Sequence, residues 1–218
     1  MAEVNLLDKL PKGKRKVHAR AEAKTAEIIA KSREYGEQYF DGPRDYGYGG
    51  YRYDGRWVPV AEDMVQHFHL KPGDRVLDVG CAKGFLVKDL MNVCPGLEVF
   101  GLDISEYALM HCEPEVIGRL HLGNAMKLPF PDKSFQAVIS LNTIHNLDRS
   151  HAAIAIREIE RLAPGKGFIQ VDSYHTPEQK AVFEDWVLTA KFHDYPEGWI
   201  QLFTEVGYTG DYYWTLIQ

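Results

Sequence analysis

An apolar run ending in a glycine loop, Arg75-Val-Leu-Asp-Val-Gly-Cys-Ala-Lys-Gly-Phe85, is followed by a helix-like segment. A second apolar run then ends in an acid, Val99-Phe-Gly-Leu-Asp-Ile-Ser105. That order predicts half of a doubly wound α/β sheet, with a ligand beyond the carboxyl ends of its strands. Asp103 lies 23 positions after Gly80, near the roughly 20 expected of an acid that holds ribose hydroxyls. The pattern points to a ligand containing a nucleoside.

The glycines narrow the choice. A dinucleotide fingerprint needs G-x-G-x-x-G so that backbone can approach a pyrophosphate. Gly80 and Gly84 are present, but Ala82 fills the middle position and Val87 stands where the next glycine would be. These two residues argue against a nicotinamide-dependent oxidoreductase and favour a ligand without phosphates.

The segment resembles the first motif of class I S-adenosylmethionine-dependent methyltransferases, from which Ala82 is a mild departure. A second block, Gly123-Asn-Ala-Met-Lys-Leu-Pro-Phe-Pro-Asp-Lys-Ser-Phe-Gln-Ala-Val-Ile-Ser140, is similar to the family's G-D-A-x-x-L-P-F-x-D-x-S-F-D-x-V, with Asn124 in place of the acid. The matching motifs span about residues 73–172. The resemblance implies a mostly parallel, seven-stranded-type Rossmann-like sheet and S-adenosylmethionine as cofactor. Asp78, Gly80 and Gly84 would shape the methionine end of its site, and Asp103 would take the ribose hydroxyls. Asn124, whose side-chain oxygen accepts hydrogen bonds, would meet the adenine with the Ala125 amide. Tyr35 and Tyr39 are expected to complete the cofactor site.

Alternation along the chain agrees with that class. Strands are predicted at 75–79, 98–103, 119–123, 135–141 and 167–172, with helices at 84–93, 105–112 and 150–163. In the last helix Ala152, Ala155, Ile156, Ile159 and Leu162 recur at helical spacing. Alternating elements imply a mostly parallel sheet covered on both faces. Thr176-Pro-Glu-Gln179 signals a helix start, and a further helix over 196–206 ends at Gly207. Residues 211–218 read as one closing strand, where class I relatives usually have two, one of them antiparallel. The C-terminal edge is therefore expected to be shortened or covered by a partner subunit, as in a homodimer.

Residues 19–39 are rich in helix formers and predict a helical cap, and another helix is expected over 60–69. Between them runs Tyr46-Gly-Tyr-Gly-Gly-Tyr-Arg-Tyr-Asp-Gly-Arg-Trp57. Six of the twelve tyrosines lie between positions 35 and 53. Residues 19–57 are read as a helix plus a lid loop, and 58–218 as the main domain. In the lid, Tyr46, Tyr48, Tyr51 and Arg52 are candidate acceptor-binding residues. Arg44, Arg52 or Arg56 could clamp a carboxylate or phosphate; the bland alternative is a surface loop packed on the domain.

The formal charge of −6 is unevenly spread: residues 1–33 carry +5, leaving −11 for the rest. An acidic body argues against a nucleic-acid partner, because phosphate contacts dominate such affinity. Residues 1–18, with the basic run Lys12-Gly-Lys-Arg-Lys16, are expected to be a flexible tail; an RNA methyltransferase using it as an arm is the competing reading. No apolar run reaches membrane-spanning length, and the start has no apolar signal region. Three cysteines form no disulfide or zinc pattern, so the expected compartment is the reducing cytoplasm. No metal-ligand spacing stands out.

Methyl transfer from a sulfonium needs mainly positioning, with a base only where the acceptor enters protonated. His145, just after the fourth strand, is the first candidate base, and an imidazole there could take a proton at neutral pH. Asp172, at the end of the fifth strand, is the second, with Tyr174 and His175 as acceptor-binding residues behind it. The expected acceptor is a small molecule, and the aromatic and hydroxyl-bearing mouth is compatible with a sugar or amino sugar. A non-catalytic nucleoside-binding module would fit the same cofactor motifs.

Overall fold

The computed structural model describes residues 1–11, 13 and 15–217; Lys12 and Lys14 of the basic run and the terminal Gln218 lie outside them. Six strands form one wholly parallel sheet in the order β3-β2-β1-β4-β5-β6. They are β1 (Arg75–Val79), β2 (Glu98–Asp103), β3 (Leu120–Leu122), β4 (Ala137–Leu141), β5 (Gly167–Ser173) and β6 (Asp211–Leu216). The order reverses between β1 and β4, which pair from Val76↔Ala137 to Asp78↔Ile139. That reversal leaves a crevice at their carboxyl ends.

Each central strand is apolar because both of its faces are covered. Along β1, Val76 joins one core, with Val60 and Met64 of α4 (Val58–His67) and Val87 and Leu90 of α5 (Phe85–Val93). Leu77 and Val79 join the other, with Ala152, Ile156 and Ile159 of α7 (Arg149–Leu162) and Trp199 and Phe203 of α9 (Pro196–Val206). The period of two along a strand divides these side chains between the layers. Between β2 and β3 the chain passes through the short α6 (Glu106–Met110). Helix α8 (Pro177–Trp186) starts where expected, with the Thr176 hydroxyl accepting from the Gln179 amide at 3.3 Å.

Two expectations are corrected at the ends of the chain. The predicted single helix over 19–39 is three pieces, α1 (Val17–Ala23), α2 (Ala26–Ser32) and α3 (Glu37–Phe40). Thr25 restarts the helix by accepting from the Ile28 amide, and Tyr35 then takes a left-handed backbone at φ 51°. Helix propensity gave no warning of either break: the first is a local cap, and at the second the Tyr35 carbonyl accepts from the Ser105 hydroxyl of the body.

The closing strand is parallel, paired with β5 from Phe168↔Asp211 to Ser173↔Leu216; the α8–α9 crossover returns the chain to the same end of the sheet. Its outer edge is occupied by the start of the same chain. The Val4 amide donates to the Tyr212 carbonyl at 2.9 Å, and the Tyr212 amide donates to the Ala2 carbonyl at 3.0 Å. Leu6, 6% exposed, is buried in the α4–α5 core. The beginning of the expected tail is thus part of the body, and it covers an edge that the sequence left open to a partner subunit. Among the described residues no helix is long and apolar enough to cross a membrane.

Candidate active site

The turn after β1 opens the crevice. Gly80 has φ 86°, and a Cβ there would fall 1.9 Å from the Thr143 hydroxyl, so only glycine allows the β1 and β4 ends to approach this closely. Ala82 takes a left-handed φ of 50°, a conformation costing about 1–2 kcal/mol for a residue with a Cβ. Its amide donates to Asp103 Oδ2 at 2.7 Å, and the Ser105 amide donates to Oδ1 at 2.8 Å. Burial raises the Asp103 pKa, while those amides pull it back down. The carboxylate is 9% exposed, fixed at the end of β2, with lone pairs to spare for hydroxyl donors.

Asp103 forms part of the wall of a cavity of about 390 Å³ that also includes Gly80, Asn124, Ala125, Tyr35 and Tyr39. The Asn124 oxygen accepts from the Met126 amide at 2.9 Å, leaving its amide group and a second lone pair. Asn146 Oδ1, on the same wall, is buried without a hydrogen-bond partner among the described residues. A second cavity of about 540 Å³ adjoins the first. Tyr39, Tyr48 and Asn142 line both.

A family profile described as a methyltransferase domain matches residues 77–171. A demethylmenaquinone methyltransferase of Symbiobacterium thermophilum is 35% identical over 131 residues, covering 55% of this chain and 50% of that one. Over that segment the chain is similar to methyltransferases.

It spans about half the length of the curated relatives it matches, or less. Two solved structures share the fold at low identity. One is a chain of the complex between the Haloferax volcanii Trm112 methyltransferase activator and a methyltransferase, with TM-score 0.56, 19% identity, and coverage of 84% of this chain and 77% of that one. The other is phosphoethanolamine N-methyltransferase 2 of Haemonchus contortus with phosphomonomethylethanolamine and S-adenosylhomocysteine, with TM-score 0.56, 20% identity, and coverage of 81% and 44%.

The residues of the smaller cavity fit the family's methyl donor. A fixed carboxylate with free lone pairs suits a ribose, an unpartnered buried amide oxygen suits a donor group, and the rings of Tyr35 and Tyr39 offer aromatic wall. Two expected cofactor residues stand elsewhere. Gly84, at φ 77°, is needed for packing, since a Cβ would lie 2.8 Å from Val116 Cγ2, outside the cavity wall. Asp78 is buried on the α4–α5 side of β1 and lines neither cavity. Burial and then the Asp103 charge push its pKa up to about 7.

The larger chamber holds both catalytic candidates, His145 and Asp172, with Tyr48, Tyr51 and Arg52. Tyr51 stacks on Phe85 with ring centroids 4.6 Å apart. Its segment is pinned by Asp41, which accepts from Lys83 Nζ at 2.7 Å, the Tyr107 hydroxyl at 2.8 Å and the Tyr51 amide at 3.1 Å. Tyr46 lines neither cavity, nor do Tyr174 and His175. β5 stops at Ser173, so the alternation that aims Asp172 inward does not carry to Tyr174. That ring packs with Phe183, and its hydroxyl meets His193 Nδ1 at 2.9 Å. His175 is exposed, with its amide donating to Gln179 at the start of α8.

Sequence reasoning missed several residues of the site. Asn142 has φ 51° and is held there by Gln170, which accepts from the Asn142 amide at 3.0 Å and donates to its side-chain oxygen at 3.1 Å. A strained backbone at the junction of two cavities marks a functional position, yet only the β4–β5 pairing exposes it. Arg15, Arg20 and Trp186 also line the chamber, and no motif joins residues so far apart in the chain.

Proposed function

We propose that this protein transfers a methyl group from S-adenosylmethionine to a small-molecule acceptor bound in the larger chamber. The observation that carries this is the common wall: Tyr39, Tyr48 and Asn142 border both cavities, so a donor in one adjoins an acceptor in the other. When bound, the donor supplies an electrophilic methyl group on a sulfonium. The protein's part is to hold the two reactants in register and keep them from water, which can contribute much of the rate.

In this reading Asp103 grips the ribose, Asn124 and Ala125 flank the adenine, and Tyr35 and Tyr39 shield the cofactor. Asp172 takes the proton of a hydroxyl or ammonium acceptor. Burial raises its pKa to about 6, with Arg15 pulling the other way, so it is ionised at pH 7 yet still basic enough to serve. The relative named for demethylmenaquinone supports a small-molecule acceptor. A sugar or amino sugar gains no support from the relatives. The chamber's bounded volume and the acidic body favour this reading over an RNA substrate.

The test is incubation of a metabolite extract with the protein and isotopically labelled S-adenosylmethionine, followed by mass spectrometry. A labelled small molecule together with S-adenosylhomocysteine is expected. Label in bulk RNA, or tight donor binding with no turnover on any pool, would overturn the proposal.

A further inference from the structure

The methyltransferase reading leaves one part of the larger chamber without a task. The guanidinium carbons of Arg15, Arg20 and Arg44 lie 5.4, 4.9 and 5.3 Å from the centre of the Trp186 indole. Three cations thus surround one ring in a chain whose net charge is −6. We infer that this cluster is the recognition site for an oxyanion, a phosphate or carboxylate group carried by the methyl acceptor. The inference rests on the proposed function, since it specifies the acceptor for that same chamber.

The hydrogen bonding of the cluster supports a missing anion. Arg20 is only 7% exposed. It donates to the backbone carbonyls of Asp45 at 3.4 Å and Gly47 at 3.3 Å, long contacts for a buried cation. Arg44 also donates to the Gly47 carbonyl. Carbonyl oxygens solvate guanidinium groups without neutralising them. Arg15 Nη1 is buried and has no hydrogen-bond partner among the described residues. The three charges also work against one another: burial and Arg44 lower the Arg20 pKa, and Arg15 acts the same way on Arg44. Buried charges are normally paired; Arg20 is buried without an ion pair among the described residues, with half-buried Arg15 and exposed Arg44 beside it.

Other groups on the wall do not remove the imbalance. Arg56 is paired with Asp54 by a bond of 2.9 Å. Asp172 is the only acidic side chain of the chamber among the described residues, and its Oδ1 is itself buried without a hydrogen-bond partner. It faces Arg15 closely enough to feel that charge, and Asp45 acts on Arg20, but two carboxylates cannot balance three guanidiniums. An oxyanion can accept several N–H bonds in the forked geometry that arginine offers. The indole fixes the arginine planes by cation–π contact, so the donors are arranged before the ligand arrives. An acceptor anchored there by its charge could extend its nucleophile toward Asn142 and the donor cavity.

Calorimetric titration of the intact protein with phenyl phosphate, benzoate and neutral benzyl alcohol, with and without S-adenosylhomocysteine, tests this. At least one anion is expected to bind at least tenfold more tightly than the alcohol, and the comparison between the anions tells phosphate from carboxylate. Arg44→Met and Arg15→Met, at positions less buried than Arg20, should each weaken that binding at least tenfold without shifting the affinity for S-adenosylhomocysteine. Equal binding of the alcohol, or anion binding unmoved in both variants, would overturn the inference. A protein that binds the anion but not S-adenosylhomocysteine would instead refute the methyltransferase reading and leave the oxyanion site standing.

Discussion

His145 Nδ1 accepts a hydrogen bond from the backbone amide of Asp172 at 3.2 Å. With that nitrogen occupied as an acceptor, the neutral ring carries its proton on Nε2. Burial, and then the charge of His193, push the His145 pKa down to about 4. The imidazole expected from the sequence to be a base is therefore already spent on backbone, and its remaining nitrogen donates. Its tie to β5 instead holds the backbone of Asp172, the base of the proposed reaction.

Asp172→Asn should lower kcat by about 10², and His145→Gln, which retains an acceptor, by less than tenfold. Deprotonation of Asp172 near its pKa of about 6 makes wild-type turnover rise as pH increases from 5 to 7. A pH–rate profile that is flat over this range, or one unchanged in Asp172→Asn, would count against the assignment.

Asp103→Ala should weaken S-adenosylmethionine binding at least tenfold, about 1.4 kcal/mol, because both carboxylate oxygens are already aimed by the Ala82 and Ser105 amides. Calorimetry decides, and unchanged affinity would remove Asp103 from the ribose site.

Asp78 links stability to pH. Its pKa is raised in the fold to about 7 from an ordinary 3.8. The folded chain thus binds more protons than the unfolded chain between those values, and stability falls as pH rises through that window. The full effect is at most about 4 kcal/mol. Asp78→Asn removes it, so urea melts should show the variant gaining on wild type between pH 4 and pH 8. A constant difference would contradict this.

Leu6→Ala should cost about 2 kcal/mol and lower Tm by about 4–8 °C. A tail in solvent would show no shift in a thermal melt, whereas Leu6 fills the core beside α4 and α5.

Asp41 pins the tyrosine-rich segment to the glycine turn through Lys83 and to α6 through Tyr107. Asp41→Ala should speed tryptic cleavage at Arg44, Arg52 and Arg56 severalfold, and S-adenosylhomocysteine should slow it. Equal cleavage rates in wild type and variant would mean that the segment is held by other contacts.

The β1 and β2 runs determined the sheet, its switch point and the carboxylate at the end of β2, because strand burial and the strand–turn–helix geometry are local properties with a fixed period. Asp103, Gly80 and Asn124 were legible for that reason. Tertiary structure alone decided that Gly84 packs against Val116, that Asp78 lines neither cavity, and that Tyr174 packs beyond the end of its strand. It also placed Ala2 and Val4 along β6 and gathered Arg15, Arg20 and Arg44 around Trp186. Those outcomes depend on which surfaces meet after the chain has crossed the sheet, and neither composition nor spacing encodes a contact between residues more than 140 positions apart.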